Sequence, residues 1–439
     1  MRSAFRIGLA AGLLVTSSIC RAAENPASAP SELGRKAERE LRENILPFWL
    51  KYAPDPENGA FHGQLTADLK PVEAAPRGSL LTCRILWAFS AVYRRYREPA
   101  LLEMAKRAYQ DLLTRFWDEQ HGGIYWTISK EGKPLDTSKQ TYGQVFGIYA
   151  LSEYYRATFD PQALERATML YRCVEKYARD PAHGGYFEVF TSDWRKEQPR
   201  KSPVNATAAK SQNTHLHVME AYTNLLRVWP DADLRAALQA LVECMLTRIY
   251  DARSHHLRLF LTENWTPRSE NWSYGHDIEA AWLLTEAAQV LDDTDLIKRT
   301  KAVAVEIAEA FLKQGVDHDG GVFNEGGPKG VTDSRKDWWP QAEAMVGLLN
   351  AYQISGDNRF LTAAAKTWTF IDKRMIDHER GEWFQSVDDR GPNRLLPKIS
   401  LWKCPYHNGR ACLEVLARVE RIESTPPLPP LDAREKANR

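Results

Sequence analysis

The sequence lacks an excess of either charge: 58 lysines and arginines are balanced by 57 aspartates and glutamates among its 439 residues. A balance this even gives no electrostatic reason to expect a nucleic acid or an anionic membrane surface as a partner. Long hydrophobic runs are also missing beyond the N-terminal segment, so no later stretch is suited to form a membrane-spanning helix. We therefore expect neither nucleic acid nor membrane among the partners.

Cysteine is scarce, with six residues in all. Five of them follow the N-terminal segment, namely Cys83, Cys173, Cys244, Cys404 and Cys412. They are scattered, odd in number and without a C-x-x-C pair, which indicates neither a disulfide framework nor a zinc knuckle. Cys404 and Cys412 could pair in an oxidising compartment, but buried free thiols are the better interpretation.

The N-terminus has the pattern of an export signal. Arg2 and Arg6 precede an apolar run over residues 7–15, and small residues then lead to Ala22 and Ala23. The run is too short to cross a bilayer, so the pattern predicts a signal peptide over residues 1–22 that is cleaved after Ala22. We expect an exported protein, periplasmic or secreted, with a catalytic domain over residues 23–424. The proline-rich residues 425–439 are expected to form a flexible tail.

A glycine followed by aromatic or branched residues recurs about every sixty residues, which is the signature of a repeat architecture. The copies are Asn58-Gly59-Ala60-Phe61, Gly122-Gly123-Ile124-Tyr125, Gly184-Gly185-Tyr186-Phe187, Gly320-Gly321-Val322-Phe323 and Arg380-Gly381-Glu382-Trp383. The interval before the fourth of these is twice as long as the others, and its middle holds a degenerate copy over residues 256–260. The chain therefore contains six repeats.

Between these loops the apolar residues follow a helical period, for example Leu234, Leu238, Leu241 and Met245. Twelve such patterns are found, near residues 31–52, 77–97, 99–117, 141–160, 161–180, 210–229, 231–250, 274–292, 294–315, 339–355, 357–377 and 405–423. Six helix hairpins without a polar capping unit favour closure over a straight solenoid. The predicted fold class is all-α, an (α/α)6 barrel in which one helix of each pair lines the inside.

Polar residues interrupt the apolar pattern near the start of each inner helix. A closed ring brings all six helix starts to one mouth, so these residues should converge on a single pocket. They are Arg84, Tyr142, Asn213 with His217, His276 with Glu279, Trp339, and His407.

Two histidines are the sharpest candidates for proton transfer. His276 and Glu279 share a helix face, so the carboxylate could bond the imidazole and raise its basicity, although a helix-start histidine beside a dipole-stabilising glutamate has the same pattern. His407 follows Pro405 in a first helical turn, where the imidazolium is disfavoured and a neutral base results. The alternative for His407 is an imidazole bonded to a loop carbonyl. H-x-x-E supplies only two metal ligands and no nearby cluster completes a set, so we expect no metal and no cofactor.

For other candidate residues, the functional interpretation depends on which groups lie beside them in the fold. His217, Glu220 and Asn224 form one stripe, which is either an inward functional face or a solvated flank. Arg84 is a cation within an apolar run, and a developing oxyanion is a plausible partner for it. Trp339 could stack on a sugar ring, and the 14 tryptophans of the chain suit either sugar binding or a large core.

Five segments together resemble the N-acylglucosamine 2-epimerase superfamily, and most closely its cellobiose 2-epimerase branch. They are Arg84-Ile85-Leu86-Trp87, Asn213-Thr214-His215-Leu216-His217, Gly275-His276-Asp277-Ile278-Glu279, Trp338-Trp339-Pro340-Gln341-Ala342-Glu343 and Trp402-Lys403-Cys404-Pro405-Tyr406-His407-Asn408. The resemblance covers nearly the whole chain after the signal peptide. It implies an (α/α)6 barrel, which agrees with the six repeats.

The resemblance also implies roles. His276 and His407 would be the acid/base pair that moves the C2 proton, with Glu279 supporting His276. His217 and Arg84 would serve ring opening and enediolate stabilisation. The sugar would be bound by Tyr142, Asn213, Trp265, Glu325, Trp339 and Trp402. The substrate would be a small mono- or disaccharide, and the protein a monomer or weak homodimer.

Four alternatives remain open on the residues alone. An aldose–ketose isomerase or an N-acylglucosamine 2-epimerase would use the same enediolate. A glycoside hydrolase on an α/α barrel would need two carboxylates, for which Glu279, Glu325 and Glu343 are available, but it would leave the histidine pair unexplained. A sugar-binding protein would need the aromatic residues but not the basic histidines.

Overall fold

The computed structural model describes residues 29–196 and 208–424. The predicted signal peptide over residues 1–22 and the predicted tail over residues 425–439 lie outside this range. Within it, none of the helices has both the length and the apolar character that a bilayer crossing requires. The five cysteines after the N-terminal segment are free thiols, as expected.

Thirteen α-helices are found in the described residues. They are α1 (Ala29–Arg39), α2 (Leu46–Tyr52), α3 (Ser79–Tyr96), α4 (Pro99–Asp111), α5 (Thr141–Thr158), α6 (Pro161–Cys173), α7 (Gln212–Leu226), α8 (Ala232–Cys244), α9 (Tyr274–Leu291), α10 (Thr294–Gln314), α11 (Trp338–Ser355), α12 (Asn358–Phe370) and α13 (Tyr406–Ser424). A π-helical turn joins α1 to α2, and four outer helices end in another; these turns are Glu40–Ile45, Leu112–Phe116, Val174–Ala178, Met245–Ile249 and Ile371–Met375.

The helices form a closed double ring. The inner helices α3, α5, α7, α9, α11 and α13 each contact the next, and α13 also contacts α3. Each outer helix packs against an inner one, and α1 packs against α13, so that the two ends of the described chain complete one hairpin. The (α/α)6 barrel predicted from the repeats is confirmed.

The burial pattern explains which helix of each pair is inside. Along α9 and α11 most side chains are buried, because these helices face both the barrel interior and an outer helix. Along α10 only one stripe is buried, and charged residues cover the rest. An apolar stripe suits a surface helix, whereas a helix that is apolar all round must be surrounded by protein.

The strands are short antiparallel ladders that connect the helices at the mouth of the barrel. They are β1 (Pro54–Asp55), β2 (Ala60–Phe61), β3 (Arg77–Gly78), β4 (Thr127–Ile128), β5 (Pro134–Asp136), β6 (Lys139–Gln140), β7 (Val189–Phe190), β8 (Lys210–Ser211), β9 (Tyr250–Asp251), β10 (His256–Leu257), β11 (Phe260–Leu261), β12 (Trp272–Ser273), β13 (Glu325–Gly327), β14 (Gly330–Asp333), β15 (Lys336–Asp337), β16 (Ser386–Asp388) and β17 (Gly391–Pro392). Glycine is required at Gly123, which has φ 81°, because a Cβ there would lie 2.8 Å from both Gln144 and Trp194.

At the other end of the barrel, polar side chains tie neighbouring inner helices together. The six contacts are Arg94–Glu153, Arg156–Asn224, Arg227–Glu286, Thr285–Asn350, Arg418–Asn350 and Arg95–Glu420. They connect each inner helix to both neighbours, so the ring is also closed by side chains far from the mouth.

Candidate active site

Hydrogen bonds to the glycine loops fix the rotation of the inner helices. The fourth residue of four helices accepts from a loop N–H: Gln144 from Ile124 (2.8 Å), His215 from Tyr186 (2.9 Å), Asp277 from Leu257 (2.8 Å) and Gln341 from Val322 (2.7 Å). Two residues further on, a side chain points roughly 200° away, toward the barrel axis. On α3, α5, α7, α9 and α11 this position holds Arg84, Phe146, His217, Glu279 and Glu343, and Arg410 lies one residue nearer the start of α13.

Arg410 joins three carboxylates at the centre of this ring. The fully buried guanidinium of α13 donates to Glu220 of α7, to Glu279 of α9 (2.5 Å) and to Glu343 of α11 (2.7 Å). It also donates to the hydroxyl of Tyr406 and lies over the Tyr406 ring. A single cation therefore connects four of the six inner helices.

Two of these carboxylates also hold histidines. Nδ1 of His407 lies 2.7 Å from Oε1 of Glu343, and Nδ1 of His217 lies 2.8 Å from Oε2 of Glu220. Both imidazoles are oriented through Nδ1, which leaves Nε2 for the substrate. His217, Glu220 and Asn224 are all buried, so their stripe faces inward and is not a solvated flank.

His276 lies at the mouth and is held differently from the sequence-based expectation. Its Nδ1 lies 3.0 Å from Oγ of Ser273, the N-cap of α9. Oε1 of Glu279 accepts from Arg410, and Oε2 has no partner among the described residues. The prediction that Glu279 supports His276 is therefore wrong: residue 279 points to the barrel axis, whereas residue 276 points to the rim.

All three histidines are neutral near pH 7. Burial lowers the pKa of His276 to about 3, and His217 and Arg84 add a repulsive contribution. The pKa of His407 lies well below its ordinary value, mainly through burial and then through Arg84 and Arg410. Burial also lowers the pKa of His217, although Glu220 opposes the shift. Each imidazole therefore offers a lone pair for proton abstraction.

The three carboxylates differ in their protonation. Burial alone would raise the pKa of Glu220, but Arg410 and His217 outweigh it and lower the pKa to about 2. Burial and the neighbouring Glu343 raise the pKa of Glu279 well above its ordinary value. Burial also raises the pKa of Glu343, against the opposing effect of Arg410. Glu220 is thus a fixed anion, whereas Glu279 and Glu343 can hold protons.

Arg84 is a buried cation without a carboxylate. Its guanidinium donates to the phenol oxygen of Tyr142 (2.8 Å) and contacts Sγ of Cys404 (3.8 Å), and no ion pair to it exists in the described part of the chain. Nε has no hydrogen-bond partner there, and the guanidinium carbon lies 4.4 Å from the ring centroid of Phe146. An anion that forms during a reaction can therefore gain strongly from Arg84.

Three of the predicted sugar-binding aromatic residues, Trp339, Trp402 and Tyr142, line the same mouth. The ring centroid of Trp339 lies 4.6 Å from that of His276 and 5.6 Å from that of His407. Trp402 lies 6.0 Å from Tyr142 in the same measure. Both indoles are partly exposed, which an aromatic ring that stacks on a sugar requires.

Two polar candidates also lie at the helix starts. Asn213 follows the first residue of α7, and its buried Oδ1 has no partner in the described residues. Glu325 pairs with Ser273 across β13 and β12, three residues before His276. Burial and the neighbouring Asp333 raise the pKa of Glu325.

Trp265 does not join this group. It occupies a turn with φ 69°, its Nε1 donates to the carbonyl of His183 (2.8 Å), and its ring packs against His215 and Gly185. Trp194 has the same arrangement one repeat earlier. Its φ is 62°, its Nε1 donates to the loop that carries Gly123, and its ring packs against that glycine. Trp265 therefore fills the space that a loop glycine leaves open, and sugar binding by this residue stays a prediction.

One expectation about metals also needs correction. The sequence offered no complete ligand set, but the fold brings ligand atoms of Glu279, Glu343 and His407 within 4.8 Å of one another. Arg410 donates to both carboxylates, so a cation already lies against them. We assign no metal to this group.

Sequence reasoning missed the central role of Arg410 and the function of Glu220 as a histidine partner. The signal for Arg410 was its register, because Asn408 and Arg410 have the same spacing as the loop-anchoring and axis-facing residues of the other inner helices. Glu220 had been noted only as part of a stripe with two possible orientations.

The chain matches the family model described as N-acylglucosamine 2-epimerase (GlcNAc 2-epimerase) over residues 59–409. It is 42% identical to a cellobiose 2-epimerase of Bacteroides fragilis, over 88% of this chain and 98% of that protein. A cellobiose 2-epimerase of Dictyoglomus turgidum is 39% identical over 86% and 97% of the two chains. The structure of cellobiose 2-epimerase from Bacillus thermoamylovorans B4167 superposes with a TM-score of 0.85 and 38% identity, covering 88% of this chain and all of that one. This chain belongs to the N-acylglucosamine 2-epimerase family.

Proposed function

We propose that this protein is a disaccharide 2-epimerase, which inverts C2 at the reducing end of β-1,4-linked disaccharides and converts cellobiose to glucosyl-mannose. The observation that carries the proposal is the placement of His276 and His407 against one partly exposed indole, that of Trp339. The relatives of about 40% identity are cellobiose 2-epimerases, which supports the same substrate class.

The reaction needs a base for each face of the sugar. After ring opening, one imidazole removes the C2 proton beside the C1 aldehyde, and the electron pair forms a cis-enediolate with its charge on O1. The other imidazole returns a proton to the opposite face of C2. Two neutral imidazoles on different helices suit this exchange.

Glu343 explains how a neutral His407 can also act as the acid. The raised pKa of Glu343 lets this carboxyl hold a proton beside Nδ1 of His407. His407 can then donate from Nε2 to C2 while it accepts the Glu343 proton on Nδ1, so His407 itself stays neutral throughout. The imidazole that took the C2 proton is left as an imidazolium and releases that proton to solvent, and Glu343 takes one up before the next turnover. The reverse reaction runs through the same pair in the opposite direction.

Arg84 supplies the charge that the enediolate requires. The cation is buried and bonded only to neutral groups in the described chain, so an oxyanion near it is stabilised without metal. Removal of one such donor typically costs about 3 kcal/mol of barrier.

The competing activities are separable. An aldose–ketose isomerase would form the same enediolate and reprotonate it on C1. A glycoside hydrolase would need two carboxylates free to flank a glycosidic bond, but Glu279 and Glu343 are both bonded to Arg410 below the histidines.

One experiment distinguishes these activities. We expect incubation with cellobiose in heavy water to give glucosyl-mannose with solvent deuterium at C2 of its reducing end, observed by proton NMR. A ketose product would move the assignment to an isomerase, and free glucose would move it to a hydrolase. An unchanged spectrum would leave only sugar binding.

Export and oligomeric state are further parts of the proposal. The arginines and apolar run of residues 1–22 support a periplasmic or secreted protein. Cell fractionation with and without residues 1–22 tests this, because loss of the segment should retain the protein in the cytoplasm. A monomer or weak homodimer is proposed, and sedimentation velocity across a concentration series checks it.

A further inference from the structure

Glu220 is surrounded by three hydrogen-bonding partners. The side chain is buried between α7 and α13, where its Oε1 accepts from the Tyr406 hydroxyl (2.5 Å) and from Arg410. Its Oε2 lies 2.8 Å from Nδ1 of His217. The Tyr406 hydroxyl in turn accepts from Arg410, so its own proton must go to Glu220. Glu220 therefore accepts at Oε1 from both Tyr406 and Arg410.

This arrangement fixes the tautomer of His217. Arg410 and Tyr406 keep Glu220 ionised, in line with a pKa lowered to about 2 despite burial. An ionised carboxylate can only accept, so Nδ1 of His217 carries the proton and Nε2 carries the lone pair. The imidazole lies among aromatic rings, with centroids of Tyr142 and Phe146 at 5.1 and 4.9 Å. Arg84 also borders this pocket, through its bond to Tyr142.

We infer that Glu220 is a positioning residue for ring opening of the sugar, which it serves by holding His217 with its proton on Nδ1 and its Nε2 free as a base. This inference rests on the proposed epimerase function, for which the resemblance implies ring opening by His217, and it adds Glu220 as the residue that sets the tautomer of this imidazole. The His217–Glu220 pair opens the ring, and the His407–Glu343 pair acts at C2.

The ring-opening step involves no net transfer of a proton to or from the protein. Nε2 of His217 takes the proton from the anomeric hydroxyl O1, and the O1 electron pair forms the C1 carbonyl. The bond from C1 to the ring oxygen O5 breaks with its electrons on O5, which takes the same proton back from the imidazolium. His217 is regenerated, and Glu220 stabilises the transient imidazolium from the Nδ1 side.

The substitution Glu220→Gln tests the tautomer directly. The amide can offer only one oxygen, and Arg410 and Tyr406 both donate toward Oε1, so the NH2 group must face His217. Nδ1 of His217 then has to accept, its proton moves to Nε2, and the base is lost. A tautomer inversion of this kind in a serine protease triad costs about 10⁴ in kcat. We expect a loss of more than 100-fold in ring opening.

Mutarotation measures ring opening separately from C2 chemistry. The substrate is 2-deoxycellobiose, which interconverts its anomers but has no C2 stereocentre to invert. We expect the wild-type chain to accelerate this interconversion above the spontaneous rate in polarimetry, and Glu220→Gln not to. The matched control is Glu153→Gln, since Glu153 is an equally buried ion-paired glutamate at the other end of the barrel. The control should keep the acceleration.

Two further measurements separate positioning from folding. Adding Glu220→Gln to His217→Ala should lower the ring-opening rate little further, because Glu220 acts through His217. The 15N spectrum of the wild-type imidazoles, with His217 assigned from its own variant, should show Nδ1 protonated and Nε2 unprotonated. This spectrum needs no Glu220 variant, so it determines the tautomer of His217 even if Glu220→Gln does not fold.

The outcomes are distinct. A wild-type chain without mutarotase activity, an Nε2-protonated His217, or full mutarotation in a folded Glu220→Gln variant would each overturn the inference. Absence of C2 deuterium exchange in the wild-type chain with cellobiose would instead overturn the proposed function. Mutarotation would be unaffected by that second failure.

Discussion

The guanidinium of Arg84 donates to the phenol oxygen of Tyr142 at 2.8 Å, and this neutral group is its only hydrogen-bonding oxygen in the described chain. A buried cation bonded only to a phenol and a thiol is costly for folding. Such an arrangement is understandable if the charge is needed during turnover, when an enediolate forms. Arg84 is therefore expected to contribute to turnover and not to stability.

Arg84→Met should lower kcat for cellobiose by about 100-fold or more, because the oxyanion loses a cation worth about 3 kcal/mol. The same variant should unfold at no lower urea concentration than the wild-type chain, since an uncompensated buried charge is removed. Kinetics and urea denaturation are measured together. A variant that loses stability but keeps its kcat would assign Arg84 a structural role.

Glu343→Gln should lower kcat by more than 100-fold with a small effect on KM. Oε1 of Glu343 accepts from Arg410 and Oε2 accepts from Trp282 (3.1 Å), so an amide NH2 faces a donor in either orientation. An amide also cannot exchange a proton with Nδ1 of His407. The control is Glu153→Gln, which should keep its kcat. Near-normal turnover by Glu343→Gln would rule out proton exchange through this carboxyl.

The stability of the fold should respond to the pH through His215. Its Nδ1 donates to the carbonyl of Ser211 (2.6 Å) and its Nε2 accepts from the N–H of Tyr186, so the ring must be neutral. Burial lowers its folded-state pKa to about 4, against an ordinary value of 6.5. The unfolded chain thus binds the proton first, and the stability contributed by neutral His215 is present above pH 6.5 and is lost as the pH falls toward 4.

The repeat itself supplies the matched variant for this test. Gln144 and Gln341 bond their loops from the same helix position without a titrating group. Between pH 7 and pH 5, the free energy of unfolding of His215→Gln should therefore fall by up to about 2 kcal/mol less than that of the wild-type chain. Urea denaturation at both pH values gives the difference. Equal losses in the two chains would contradict a neutral, loop-bonded imidazole.

Trp402 should decide the preference for disaccharides. Trp339 contacts both catalytic imidazoles and would carry the reacting sugar, whereas Trp402 lies beside Tyr142 and Trp126 and is placed for a second ring. We expect kcat/KM for cellobiose to exceed that for glucose several-fold, since a stacked ring contributes about 1 kcal/mol to positioning. Trp402→Ala should abolish this preference for cellobiose, while Trp339→Ala should lower kcat/KM for both sugars. An unchanged ratio in Trp402→Ala would place the second ring elsewhere.

Exhaustive chelation should leave turnover unchanged. Arg410 already provides the positive charge beside Glu279 and Glu343, and Arg84 provides it for the enediolate. Activity is compared before and after dialysis against EDTA. Loss of activity with recovery on adding one divalent ion would show that the Glu279–Glu343–His407 group binds a metal.

The sequence by itself determined the fold. Loop glycines at a period of about sixty residues and twelve helical patterns predict the six hairpins, because a left-handed loop residue and a 3.6-residue apolar period are local properties. The same local signals placed Arg84, His217, His276 and His407 near one mouth. These predictions needed no knowledge of which side chains touch.

Only the tertiary structure decided the partners within the site. The sequence paired His276 with Glu279 because they lie three residues apart, but the loop contact of Asp277 rotates α9 so that Glu279 faces the axis and His276 faces the rim. Glu343 and His407 lie 64 residues apart and are bonded. Hydrogen bonds between helices depend on how six helices are rotated about one axis, and that rotation is set by contacts distant in the sequence. For this reason Arg410, on the last helix, could be recognised as the common partner of three carboxylates only after the ring had closed.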